Sequence, residues 1–129
     1  MTQTATQMVE AANAQIQTVS PQDAFAEMSS DHVVFLDIRE PAEWEQHIAN
    51  AVQVPRGLLE FTADPASPRH NPELDPARRV IVYCRSGTRA ALAALTLQTL
   101  GFENVANLDG GISAWNDAGL PTEEHHADY

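Results

Sequence analysis

The sequence predicts an α/β domain built on a mainly parallel sheet. Three observations predict it. Residues 33–38 (VVFLDI) and 80–83 (VIVY) are near-continuous runs of strand formers, the pattern of strands covered on both faces. Helix-compatible segments alternate with the strands, and capping or stop residues punctuate them. At 129 residues the chain has the length of one domain and can bury a core without disulfides or a structural metal.

Taken in order, residues 4–15 (TATQMVEAANAQ) permit a short N-terminal helix. Ser20 is a good N-cap, Pro21 fits the first helical position and Asp23 answers the cap, so a helix starts there with Ala24, Phe25 and Met28 turned to the core. The strand 33–38 follows. Glu40-Pro41 predicts a further helix to about His47, then a short strand at 51–54 (AVQV) and a brief helix from Arg56 to Phe61. From 62 to 79 the prolines at 65, 68, 72 and 76, with Asp, Ser and Asn between them, predict a long, ordered or semi-ordered surface loop. After the strand 80–83 comes an Ala- and Leu-rich helix from about Arg89 to Leu100, ended by Gly101. Val105–Leu108 is the last strand, and a helix from about Gly111 to Ala118 is stopped by Gly119 and Pro121. The tail 123–129 is acidic and expected to be loose.

Charge excludes several functions. Eighteen acidic residues against seven basic ones give a net charge of −11, a surface that repels phosphate backbones and anionic lipid heads. Neither a nucleic acid nor a membrane is expected as partner, and no apolar run approaches the ~20 residues of a bilayer span. Every basic residue is an arginine, so lysine chemistry is excluded. The lone cysteine, Cys84, supplies neither an internal disulfide nor a thiolate metal cluster. The first twenty residues carry no positive charge and no apolar segment of signal-peptide type, so a cytoplasmic setting is expected.

The chemistry points to one place. In parallel sheets ligands bind beyond the carboxyl ends of the strands, and Cys84 stands there, opening the run Cys84-Arg85-Ser86-Gly87-Thr88-Arg89. A tight loop entering a helix turns backbone N–H groups inward, and the helix dipole adds positive field. Gly87 supplies the backbone freedom, and Arg85 and Arg89 form a positive island in an acidic chain. Such surroundings favour the thiolate, which is the nucleophile, and an anionic substrate. Taken alone, a cysteine at a strand end reads as a small buried apolar residue; it is the arginines, the glycine and the strand–loop–helix placement that favour catalysis.

Here the sequence resembles the rhodanese-like (sulfurtransferase) domains. The resemblance runs from Val19 to Thr122 and rests on CRSGTR (84–89), DIREPAEW (37–44), His47-Ile48, AVQVP (51–55) and LDGGISAW (108–115). It implies a five-stranded, mainly parallel sheet with helices on both faces, a domain over 19–122, an N-terminal helical extension over 1–18 and the loose tail beyond. It also implies that Cys84 takes a sulfane sulfur from a small anionic donor such as thiosulfate. The sulfur then passes to a thiophilic acceptor: cyanide, sulfite, glutathione or a protein thiol. Two other readings share the fold: a sulfur carrier serving a partner enzyme, and a non-catalytic partner-binding module. Family members commonly carry glycines where Gln46 and Asn50 stand here, so the turn between them is expected to be reshaped. A phosphatase or arsenate reductase is the weaker reading, because the loop places its arginine one position earlier than the phosphatase spacing requires and position 90 is alanine.

Asp37 and Arg39, just past a strand end, are candidates to orient the loop or its mouth, or else a cap and ion pair at the turn. Arg56 follows another strand and is a candidate for the pocket rim. Trp44 and Trp115 read as core anchors on amphipathic helices, and Gly110-Gly111 as a tight strand-to-helix turn. His47 reads as a structural hydrogen-bonding residue, and His125-His126 has no spaced partner for a metal. No metal and no cofactor are expected.

Overall fold

The computed structural model describes residues 2–124. Its elements are α1 (Ala5–Asn13), β1 (Gln17–Val19), α2 (Pro21–Glu27), β2 (Val33–Asp37), a 3₁₀ turn at Pro41–Glu43, β3 (Gln46–Ile48) and β4 (Val52–Gln53). A second 3₁₀ turn at Arg56–Leu58 leads into α3 (Leu59–Ala63), followed by β5 (Arg79–Tyr83), α4 (Thr88–Thr99), β6 (Val105–Leu108), α5 (Gly111–Asp117) and β7 (Thr122–Glu124). Five strands form one parallel sheet in the order β1-β6-β5-β2-β4. β5 lies at its centre, which is why VIVY is apolar at every position: both faces are covered.

The two-residue period of the strands sorts their side chains. Val34, Leu36, Val80, Val82 and Cys84 point to one face, under α1, α3 and α4. Phe35, Ile81, Tyr83, Ala106 and Leu108 point to the other, under α2 and α5, where Trp115 meets the edges of Phe25 and Phe35. The helix starts follow the local chemistry. Ser20 Oγ accepts from Asp23 N at 3.1 Å with Pro21 at the first position of α2, and Thr4 and Gln7 close a reciprocal capping box on α1.

The structure corrects several expectations. The helix expected over 40–47 is one 3₁₀ turn followed by a strand. β3 pairs antiparallel with β7, His47 facing Glu123, and this ladder between distant segments overrides local helix propensity. The tail is therefore a strand as far as Glu124, and 125–129 lie outside the described residues. Trp44 ends the 3₁₀ turn half-buried, its Nε1 enclosed without a hydrogen-bond partner, and anchors no amphipathic helix. Within 2–18, β1 begins at Gln17 as an edge strand of the sheet, and Ala12 and Ile16 join the core that holds Cys84. The turn at Asn50 keeps a glycine-like backbone, φ +63°, which asparagine tolerates better than most residues. The 62–79 segment is held by side-chain turns at Asp64, Ser67, Asn71 and Asp75 and pinned by buried Leu74.

Candidate functional site

β5 delivers Cys84 to the carboxyl edge of the sheet, and the chain then turns through Arg85–Gly87 into α4. Gly87 has φ +104°, a conformation that costs glycine little and other residues more. Through that turn the Gly87 N–H points at Cys84 Sγ across 3.1 Å, and the Ala90 N–H reaches the same sulfur at 3.4 Å. α4 has no side-chain cap from its N-cap residue; the sulfur accepts one of its otherwise unpaired first-turn donors. Negative charge on that sulfur would meet two N–H dipoles and the positive end of a twelve-residue helix. The Cys84 side chain is fully buried beneath this cradle, while Arg85, Ser86 and Thr88 are exposed above it.

The loop is held from behind by residues outside the CRSGTR run. The carbonyl of Cys84 accepts from Ile112 N at 2.9 Å and that of Arg85 from Ser113 N at 3.1 Å, so the first turn of α5 binds the loop's outward carbonyls. Gly111 makes this approach available: a Cβ there would stand 2.5 Å from both carbonyl oxygens. Asn107, buried in β6, donates from Nδ2 to the Gly87 carbonyl at 3.0 Å. The GG turn was legible in the sequence but its service to the loop was not. Asn107 did leave a signal, a polar residue inside the buried strand VANL.

The arginines divide. Arg85 is exposed and its guanidinium makes no hydrogen bond or ion pair among the described residues, so it is free for an anion. Arg89, expected to hold substrate with it, is instead clamped by Glu43 through both Nη atoms, at 2.8 and 2.9 Å. The hydrogen bonds from Arg89 hold the Glu43 carboxyl down at about 2, and Glu43 in turn raises the Arg89 guanidinium. No local signal announced the pair, because its members are 46 positions apart.

Asp37 and Arg39 are buried and take the structural option. Arg39 donates to Asp37 through its main-chain N, Nε and Nη2, and to the Gln46 carbonyl at 2.7 Å. Tyr83 donates to Asp37 at 2.9 Å and accepts from Ile48 N at 3.1 Å, tying β2, β5 and β3 together. Burial first, then the charge of Asp37, pushes the Tyr83 phenol far up, so it serves as a neutral donor. Burial works against the charge on Arg39, and the hydrogen bonds and charge of Asp37 more than offset it. Arg56 is not at the rim: it binds Glu60 and Thr96, and Thr96 lies eight residues along α4 from Thr88, about 12 Å by helical rise. A cleft of about 320 Å³ lies at the other edge of the sheet, lined by Ser30, Asp31, Val33, Asn50, Glu73 and Arg78 among others; none of the loop residues borders it.

Comparison with known proteins agrees with the fold. The rhodanese-like domain family model matches residues 20–118. A sulfurtransferase of Allochromatium vinosum is 40% identical over 93 residues, covering 71% of this chain and 79% of that protein. An uncharacterized Synechocystis protein is 32% identical over 106 residues; the match takes in 81% of this chain and 55% of that longer protein. Among solved structures, a Rhodopseudomonas palustris protein described as a possible tyrosine phosphatase superposes with TM-score 0.88 at 39% identity, over 95% of this chain and 96% of its own. The polysulfide-sulfur transferase homodimer of Wolinella succinogenes superposes with TM-score 0.73 at 32% identity, over 95% and 90%.

Proposed function

Because the chain belongs to the rhodanese-like domain family, we propose that it is a sulfurtransferase in which Cys84 carries a sulfane sulfur as a persulfide between a donor and a thiophilic acceptor. The observation that carries this reading is the pair of N–H groups, from Gly87 and Ala90, aimed at Cys84 Sγ at the head of α4. They meet negative charge where it must sit twice, on the attacking thiolate and on the same sulfur when the acceptor's attack releases it.

In the first half-reaction the thiolate attacks the outer sulfur of the donor. A new S–S bond forms, the donor's own bond breaks, and its electron pair leaves on sulfite or on a thiolate. Both leaving groups are stable anions, so no general acid is required at the loop. Arg85 meets the anionic donor from solvent. In the second half-reaction cyanide, sulfite, glutathione or a protein thiol attacks the terminal sulfur and regenerates Cys84. Because Cys84 is buried, its surroundings have to shift for each transfer. A lone thiol that has to stay reduced to take up sulfur fits a cytoplasmic compartment. Among the described residues no helix is long and apolar enough to cross a membrane.

The test is a two-stage assay. Protein is treated with a sulfane donor, freed of it by gel filtration and mixed with cyanide. One thiocyanate per chain is expected, and none from Cys84→Ser. Hydrolysis of an aryl phosphate by the wild type, with no thiocyanate, would favour the phosphatase reading instead.

A further inference from the structure

The sulfur-transfer reading leaves the donor open, and the charges around the loop narrow it. Among the described residues four of the seven arginines are in ion pairs with carboxylates, and at the loop itself only Arg85 is uncommitted. Arg89 presents both Nη atoms to Glu43, and Glu43 Oε2 also accepts the Glu40 N–H at 3.0 Å. Turning the carboxylate away to free Arg89 therefore breaks three hydrogen bonds. The Glu40 carboxylate also acts on Arg89, so two acids face this cation. Arg85 stands in solvent, where water and salt screen it.

We propose that Glu43 is a specificity-determining residue: by neutralising Arg89 it leaves one free cation at the loop and selects monoanionic organic persulfides over the thiosulfate dianion as donors. The inference rests on the sulfur-transfer reading. Thiosulfate brings two negative charges to a nucleophile that already carries one. The step Cys84-S⁻ + ⁻S–SO₃⁻ → Cys84-S–S⁻ + SO₃²⁻ holds three charges at the loop throughout. An organic persulfide reacts as Cys84-S⁻ + R–S–S⁻ → Cys84-S–S⁻ + R–S⁻, with two, and the released thiolate takes its proton from water. One accessible guanidinium and two N–H groups suit the second step better than the first. The carboxylate of Glu43, held at about 2 by Arg89, keeps its charge at every working pH.

The experiment measures the second-order rate of sulfur loading on the intact chain, by mass, from thiosulfate and from 2-hydroxyethyl persulfide, whose organic group carries no charge. Wild type should load from the persulfide faster by about tenfold or more, the scale of one uncompensated charge near a partly exposed site. Glu43→Gln should raise the thiosulfate-to-persulfide ratio by roughly tenfold, while Glu43→Asp, which keeps the charge, should hold the wild-type ratio. Equal wild-type rates from the two donors, or a Glu43→Gln ratio within about twofold of wild type, overturn the inference and leave sulfur transfer standing. No loading from either donor removes the sulfur-transfer reading, and the inference with it. Equal wild-type rates overturn the inference even if the glutamine variant folds poorly.

Discussion

The Gly87 N–H lies 3.1 Å from Cys84 Sγ, and it points there because Gly87 adopts φ +104°. A Cβ at this position would meet nothing closer than 3.7 Å, so the demand for glycine is conformational and not steric. Gly87→Ala should cost about 1–2 kcal/mol of stability, the price of a left-handed backbone. Relaxation of that backbone would turn the N–H off the sulfur, so sulfur loading should slow by about a hundredfold, on the scale of losing one donor in such a site. Thermal melting and timed mass spectra measure the two effects separately.

Gly111 makes the opposite case. A Cβ there would be driven to 2.5 Å from the backbone oxygens of Cys84 and Arg85, which have nowhere to move. Gly111→Ala should destabilise by about 1–3 kcal/mol or more and disturb the loop with it. Gly57→Ala, with open space around the new atom, is the control and should stay within about 0.5 kcal/mol of wild type. Equal melting temperatures for the two variants would contradict the docking of α5 on the loop.

The buried hub of Asp37, Arg39 and Tyr83 is expected to matter for stability. Asp37→Asn leaves the Arg39 guanidinium buried without its countercharge, at a cost of about 3–5 kcal/mol. Tyr83→Phe removes one hydrogen bond to Asp37 and one from Ile48 N, at about 1–3 kcal/mol. Urea titration gives both numbers. A near-neutral Asp37→Asn would overturn the structural role given to the pair.

The Glu43–Arg89 pair sets an acid limit. The Glu43 carboxyl falls from 4.5 to about 2 on folding, chiefly through the hydrogen bonds from Arg89. A depressed carboxyl contributes stability that is complete above its unfolded value and lost as pH falls through the folded one. This contribution should therefore fade between pH 4.5 and about 2. Both side chains are about a third exposed, so it is expected to stay under about 1 kcal/mol. Glu43→Gln should flatten that part of the stability–pH curve, and an unchanged slope would contradict the pairing.

How much of this was legible in sequence depends on the distance over which each feature is decided. VVFLDI, VIVY and the capped start of α2 are local, and their elements stand where the residues put them. β1 has three residues with no alternation to betray it, and β3 and β7 exist only because they meet. Glu40-Pro41 starts a turn as its chemistry requires, but the ladder from Gln46 onward draws the chain out of the helix. At the site, the position of Cys84, the turn at Gly87 and the free charge of Arg85 are properties of six consecutive residues. The commitment of Arg89 to Glu43, the reach of Arg56 toward Thr96 and the burial of Asp37 are tertiary facts without a local signature.

The most direct test is the intact mass of the chain after exposure to a sulfane donor and removal of excess. The expected result is a gain of one sulfur atom on wild type, reversed by a thiol reductant and absent from Cys84→Ser. An unchanged wild-type mass with every donor, or the same gain on Cys84→Ser, would contradict the role assigned to this cysteine.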